Sequence, residues 1–86
     1  MGEVVVILRV MPEDTEVNLA ELEKRIREKV KVFAVEREPI AFGLEALRIA
    51  TVVEDKEGGT EPLEREISSI PGVASVEVIG LSRIFL

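Results

Sequence analysis

Carboxylate, ammonium and guanidinium groups are the charged side chains available for chemistry in this 86-residue sequence, because cysteine and histidine are both absent. Their absence excludes disulfides, thiol nucleophiles, imidazole acid–base catalysis and zinc sites. Two carboxylates could still bind magnesium or act as an acid–base pair, but the only aspartates, Asp14 and Asp55, fall in predicted loops. The sequence therefore predicts a protein that is not an enzyme.

Phe42 is the other residue whose type and position could serve function, since the chain has only 3 aromatic residues. It lies between Pro39 and Gly43, which predict a tight turn, and a rigid ring exposed on a turn is a good anchor for a protein interface. Burial in the core is the alternative, because large aromatic side chains usually lie inside. The residue types leave both alternatives open.

The balance of charged residues indicates which kinds of partner the protein could bind. The 17 acidic residues outnumber the 11 basic ones, giving a formal charge of -6. This field repels nucleic-acid phosphates and anionic membranes, whereas it attracts a basic protein partner. The sequence also lacks a signal pattern and an apolar run of the roughly 20 residues that span a bilayer. We therefore expect a cytoplasmic protein without direct nucleic-acid or membrane contacts.

The first half of the chain predicts a strand, a helix and a hairpin. EVVVILRV, residues 3 to 10, is typical of a central strand. Asn18, with Glu21 three positions later, predicts a capping box at the start of a helix. The apolar face of this helix recurs at spacings of 3 and 4, at Leu19, Leu22, Ile26 and Val30. Residues 31 to 54 alternate in polarity and predict an antiparallel hairpin connected by residues 39 to 43.

The second half of the chain predicts a second helix and a fourth strand. Thr60 predicts the N-cap of a second helix with Pro62 in its first turn and an apolar stripe at Leu63, Ile67 and Ile70. Residues 73 to 86 predict a fourth strand. The order βαββαβ is the α+β, ferredoxin-like split βαβ sandwich: a four-stranded antiparallel sheet with two helices on one face. At this length we expect residues 1 to 86 to form one domain.

This fold plan serves several functions, so side chains must discriminate among them. A metal chaperone would need a cysteine pair in the first loop, and this chain has no cysteine. An RNA-recognition module would need stacking aromatic residues on its middle strands, where this sequence has aliphatic residues and glutamate. A regulatory domain that senses a small molecule such as an amino acid remains an alternative. It would hold its ligand where a helix meets a strand.

Two stretches of the chain resemble a known family. They are EPIAFGLEALRIATVVEDKEGGTEPLEREI, residues 38 to 67, and GEVVVILRVMPED, residues 2 to 14. Both resemble archaeal translation elongation factor 1-beta, and the likeness covers essentially the whole chain. The central part is also similar to the C-terminal exchange domain of the eukaryotic factor. The resemblance implies a guanine-nucleotide exchange factor for the GTPase elongation factor 1-alpha, with no cofactor of its own, and we expect a monomer in isolation.

The resemblance also implies which residues bind the partner. In the eukaryotic relatives, the phenylalanine matching Phe42 inserts into a pocket of the GTPase's second domain, while the C-terminal end approaches the magnesium and phosphate site of the first. Arg83 lines up with a lysine of those relatives, and a guanidinium enters a tight magnesium site less compactly than an ammonium. The implied partner-binding residues are Pro39, Phe42 and Gly43 at the turn, and Ser82, Arg83, Ile84 and Phe85 in the tail.

Overall fold

Within the residues that the structure describes, four strands and two helices follow one another in the predicted order. The computed structural model describes residues 2–54 and 59–84. The elements are β1 (Glu3–Pro12), α1 (Leu19–Lys29), β2 (Val32–Pro39), β3 (Glu45–Glu54), α2 (Glu61–Ser68) and β4 (Val73–Ile84). All strand pairs are antiparallel, and the strand order across the sheet is β2-β3-β1-β4. The structure confirms the predicted ferredoxin-like α+β fold.

One face of the sheet is covered by both helices. Along β1, alternate residues from Val4 to Val10 are buried, as the strand period of 2 requires. They form one core with both helices and the turn after α2. The core members on this side are Leu22 and Ile26 of α1, Ile67 of α2, and Ile70 just after α2. Full burial of each such aliphatic side chain contributes about 1.5–3 kcal/mol. The apolar spacing in the sequence therefore fixes which side of each helix faces the sheet.

The two helices begin differently. The Asn18 side chain accepts a hydrogen bond from the Glu21 amide at 3.0 Å, which confirms the predicted N-cap of α1. Thr60 is the N-cap residue of α2, but within the described residues its side chain makes no capping hydrogen bond. Its φ of -93° and ψ of -4° differ from the extended geometry of a capping residue. Among the described residues, neither helix is long and apolar enough to cross a membrane.

The sheet face opposite the helices, called the open face, carries an ion-pair network. Arg9 on β1 donates two hydrogen bonds to the Glu38 carboxylate on β2, at 3.0 and 3.3 Å, and one to Glu77 on β4 at 3.2 Å. To reach Glu38, Arg9 spans β3, where the residue opposite Glu38 is the small, fully buried Ala46. The hydrogen bonds from Arg9 hold the pKa of the Glu38 carboxyl below its usual value.

Bulges interrupt both edge strands. In β2 the register shifts between Val32 and Ala34, and the side chain of Phe33 between them is 77% exposed. In β4 the register shifts where Ile7 and Leu8 of β1 pair with Gly80 and Val78. A bulge adds an unpaired residue and bends the strand locally, which protects an exposed sheet edge from pairing with another chain.

Candidate functional site

A tight turn forms the tip of the β2–β3 hairpin, which residues 40–44 connect. The Ile40 amide donates to the Leu44 carbonyl at 2.8 Å, and the Leu44 amide donates to the Ala41 carbonyl at 3.2 Å. Phe42 and Gly43 are the central residues of this turn, with φ of 61° and 78°. Positive φ at both central positions is the type I′ pattern, whose twist matches the flanking strands.

Phe42 is 96% exposed on this turn. Of the two alternatives that the sequence left open, the structure thus places the ring outside the core. A left-handed backbone costs an ordinary L-residue about 1–2 kcal/mol, and asparagine or glycine normally occupies this position. Because the exposed ring returns almost no burial energy to its own domain, the strain and the exposure together point to a role outside the fold.

The residues that flank Phe42 are also exposed at the tip. A Cβ on Gly43 would meet no described atom within 4 Å, so glycine is needed there for its positive φ and not for lack of space. Pro39 is exposed at the end of β2, an edge strand, where a missing amide donor is tolerated. Ile40 is also 38% exposed beside the tip, and the sequence reasoning missed it. The apolar run from Ile40 to Phe42 inside a predicted turn was the available signal.

An open groove of about 210 Å³ lies beside the tip. The β1–α1 loop forms one wall, and the hairpin contributes Arg37, Gly43 and Glu45. In the loop, the Asp14 carboxylate accepts a hydrogen bond from the Glu16 amide at 2.8 Å, which fixes the turn before α1. The groove is smaller than the roughly 300–1,000 Å³ of typical small-molecule sites.

The tail residues continue the outer strand β4 along β1. Ser82 pairs with Val5, Arg83 with Val4 and Ile84 with Glu3. Ser82 is exposed, while Phe85, the last predicted partner-binding residue, lies outside the described residues. The pairing places this part of the tail at the end of an edge strand.

The tip and the tail lie at opposite ends and opposite edges of the sheet. The hairpin tip lies just beyond the paired residues Pro39 and Glu45. At the other end of the sheet, Ser82 pairs with Val5, which pairs on its other side with Val52, so these three form one row across the strands. Seven residue steps along β3 separate Glu45 from Val52, or about 24 Å at 3.4 Å per residue. The predicted site residues therefore form two separate groups on a body 41 Å long.

The chain is thus a small α+β domain whose ferredoxin-like sheet carries an exposed aromatic tip and a separate strand end. Residues 5–84 match the EF-1 guanine nucleotide exchange domain family. The chain therefore belongs to this family, which confirms the resemblance found in the sequence.

Archaeal relatives match along nearly their whole length. The chain is 44% identical over 88 residues to Elongation factor 1-beta of Methanothermobacter thermautotrophicus, with 98% of this chain and 99% of that protein covered. It is 48% identical to Elongation factor 1-beta of Thermofilum pendens, covering 96% of this chain and 97% of the relative. The same factor of Desulfurococcus amylolyticus is 49% identical, with 98% and 99% covered.

Proposed function

We propose that this chain is the exchange factor of elongation factor 1-alpha, the GTPase that delivers aminoacyl-tRNA, and that it accelerates GDP release from that GTPase. Membership of the exchange-domain family supports a role in nucleotide exchange during translation elongation. The observation that carries the proposal is the geometry of Phe42, which is 96% exposed at a φ of 61°. An exposed ring on a fixed turn supports a role as an interface anchor that inserts into a partner.

The energy of this contact is sufficient for an anchor. Complete burial of a phenylalanine side chain contributes about 1.5–3 kcal/mol. The turn already fixes the backbone of Phe42 and Gly43, so binding loses little further conformational entropy there. An aromatic side chain that is fully buried on binding is a typical interface hot spot.

The tail supplies the second contact. Ser82, Arg83, Ile84 and Phe85 form the end of the chain that we assign to the magnesium and phosphate region of the GTPase. A guanidinium brought near that site by Arg83 would compete for its carboxylate and phosphate oxygens and weaken their hold on magnesium. The net charge of -6 would favour encounter with a basic partner surface.

Exchange by this route needs no catalytic side chain. A factor that binds the nucleotide-free GTPase more tightly than the GDP-bound form must weaken GDP binding by the same ratio, because the two equilibria are linked. Phe42 holds the factor on the GTPase, and the tail favours the nucleotide-free state. The chain is thus a binding partner of a GTPase and not an enzyme in its own right.

Release of a fluorescent GDP analogue from purified elongation factor 1-alpha, followed by stopped flow with excess unlabelled GDP, tests the proposal. The release rate should rise with the concentration of this chain and reach a plateau. Phe42→Ala should raise the half-saturating concentration, Phe42→Tyr should largely retain activity, and Arg83→Ala should lower the plateau. Equal rates with and without the wild-type chain would refute the function.

The amino-acid-sensing alternative makes a different prediction for the groove beside the tip. A sensor would be stabilised by its ligand, so a saturating amino acid should raise the melting temperature. We expect no such rise with any of the twenty amino acids, measured under the conditions of the exchange assay. A reproducible ligand-dependent increase would favour the sensor.

A further inference from the structure

We propose that the apolar half of the open face is a third contact surface for the same GTPase, lying between the hairpin tip and the tail. This inference rests on the proposed function and adds a surface that neither the tip nor the tail includes. The surface, called the open-face patch, consists of Val5, Ile7, Ala34, Ala50, Val52 and Gly80.

The strand register assembles the patch from all four strands. In an antiparallel sheet, directly opposite residues point to the same face. Ile7 stands opposite Ala50 and Gly80, and Ala50 stands opposite Ala34, which gives one apolar row across the sheet. A Cβ at Gly80 would lie 3.3 Å from Ile7 Cγ1, so Ile7 packs closely over the glycine.

Polarity divides the open face into two halves. The next row toward the hairpin tip is charged, running through Glu36, Arg48, Arg9 and Glu77. Within it, Arg9 is already bound to carboxylates on both flanking sides of the sheet. The row of Val5 and Val52 on the tail side is half-buried and aliphatic. The open-face patch is therefore the part of this face that gains most from further burial.

The position of the patch between the two proposed contacts favours the GTPase as the molecule that covers it. A partner that contacts both Phe42 and Ser82 must extend over more than about 24 Å of sheet, the length of the run from Glu45 to Val52 along β3. On the helix side it would have to pass over α1 and α2, a layer about 10 Å thick. Along the open face the path between the two contacts is direct, and it crosses the patch. Ser82 also lies in the same row as Val5 and Val52, so the patch is continuous with the tail.

Charge disfavours a second copy of this chain as the occupant. Glu3 and Glu54 stand opposite each other at the outer border of the patch, and both are exposed. Two copies packed face to face would place these carboxylates near a second acidic surface, and each copy carries a net charge of -6. A partner with an apolar surface bordered by basic side chains fits this arrangement better.

Two alanine substitutions of identical chemistry test the patch. Ala34 lies in it, whereas Ala20 lies on α1, and both are exposed. In the fluorescent GDP assay, Ala34→Glu should raise the half-saturating concentration by at least about tenfold, because it buries an unpaired carboxylate in the interface. Ala20→Glu should change it by less than about twofold. Thermal unfolding of both variants verifies that each remains folded.

A measurement on the wild-type chain complements the variants. On addition of nucleotide-free GTPase to the ¹⁵N-labelled chain, the amide signals of Val5, Ile7 and Val52 should shift or broaden. Those of exposed residues on α1, such as Glu28, should change much less. Unchanged Val5, Ile7 and Val52 signals in a formed complex would overturn the proposal.

Failure of this inference can be distinguished from failure of the proposed function. If the wild-type chain does not accelerate GDP release, the proposed function and the patch contact both fail. If it does, and Phe42→Ala impairs release while Ala34→Glu matches Ala20→Glu, the patch contact alone is wrong. A concentration-dependent dimer that Ala34→Glu dissociates would assign the patch to self-association and also overturn the proposal.

Discussion

Replacement of Phe42 by asparagine should stabilise the free domain while it weakens nucleotide exchange. The ring is 96% exposed, so its removal costs almost no burial energy. The φ of 61° costs phenylalanine about 1–2 kcal/mol, most of which asparagine avoids because it tolerates this conformation. We expect an increase of about 1 kcal/mol in the free energy of unfolding, equivalent to about 4–8 °C in melting temperature for a domain of this size.

Thermal and urea unfolding, followed by circular dichroism, measure this gain. Phe42→Ala is the matched control because alanine lacks the short polar side chain whose local hydrogen bonds let asparagine tolerate the left-handed region. Alanine therefore keeps the strain, and its stability should lie within about 0.5 kcal/mol of wild type. A lower melting temperature for Phe42→Asn than for wild type would show that the ring packs against its own domain and is not held out for a partner.

The same variant should be a poor exchange factor. Loss of a buried phenylalanine contact of about 2 kcal/mol raises the half-saturating concentration in the GDP-release assay roughly 30-fold. The combination of higher stability and lower activity is specific to a residue held strained for a partner. Full exchange activity in a more stable Phe42→Asn variant would refute the assignment of the ring as an anchor.

Three further outcomes are expected. Gly43→Ala should lower the free energy of unfolding by about 1 kcal/mol in urea titrations, because alanine is strained at a φ of 78°. Ile26→Ala, in the core, should lower it by about 2–5 kcal/mol, whereas Ala20→Ser on the exposed side of α1 should change it by less than about 0.5 kcal/mol. Since Arg9 lowers the pKa of Glu38, this carboxylate contributes stability that is present above its ordinary value of 4.5 and is lost as the pH falls below it. Glu38→Gln should therefore make stability fall less on acidification than in wild type, and an unchanged pH profile would contradict this role of the Arg9–Glu38 pair.

The order of elements and the core were predictable from the sequence because they depend on local periodicity. The spacing of Leu22 and Ile26 predicts one helical face, and the alternation along β1 predicts one buried strand face. The helical face and the strand face that these patterns predict both lie in the core. The Asn18 cap was equally local, since its hydrogen bond joins residues only three positions apart. Thr60 shows where local sequence reasoning stops. A threonine at this position predicts a capping hydrogen bond, but the residue type alone does not determine whether the side chain reaches a backbone amide.

The environment of Phe42 could not be read from residue types. Proline and glycine predict a turn, but exposure of the ring depends on whether the rest of the fold reaches over the tip, and the positive φ depends on the twist of two strands. The Arg9–Glu38 pair joins residues 29 positions apart, and the bulge at Phe33 shifts the pairing of β2. Both follow from strand register, which turn geometry and packing determine together.

The most direct measurement of the proposed exchange activity is the rate of GDP release from elongation factor 1-alpha as a function of the concentration of this chain. We expect a saturating acceleration that Phe42→Ala shifts to at least about tenfold higher concentration without altering the fold of the variant. An unaccelerated release, or an acceleration that is identical for wild type and Phe42→Ala, would contradict exchange through an aromatic anchor.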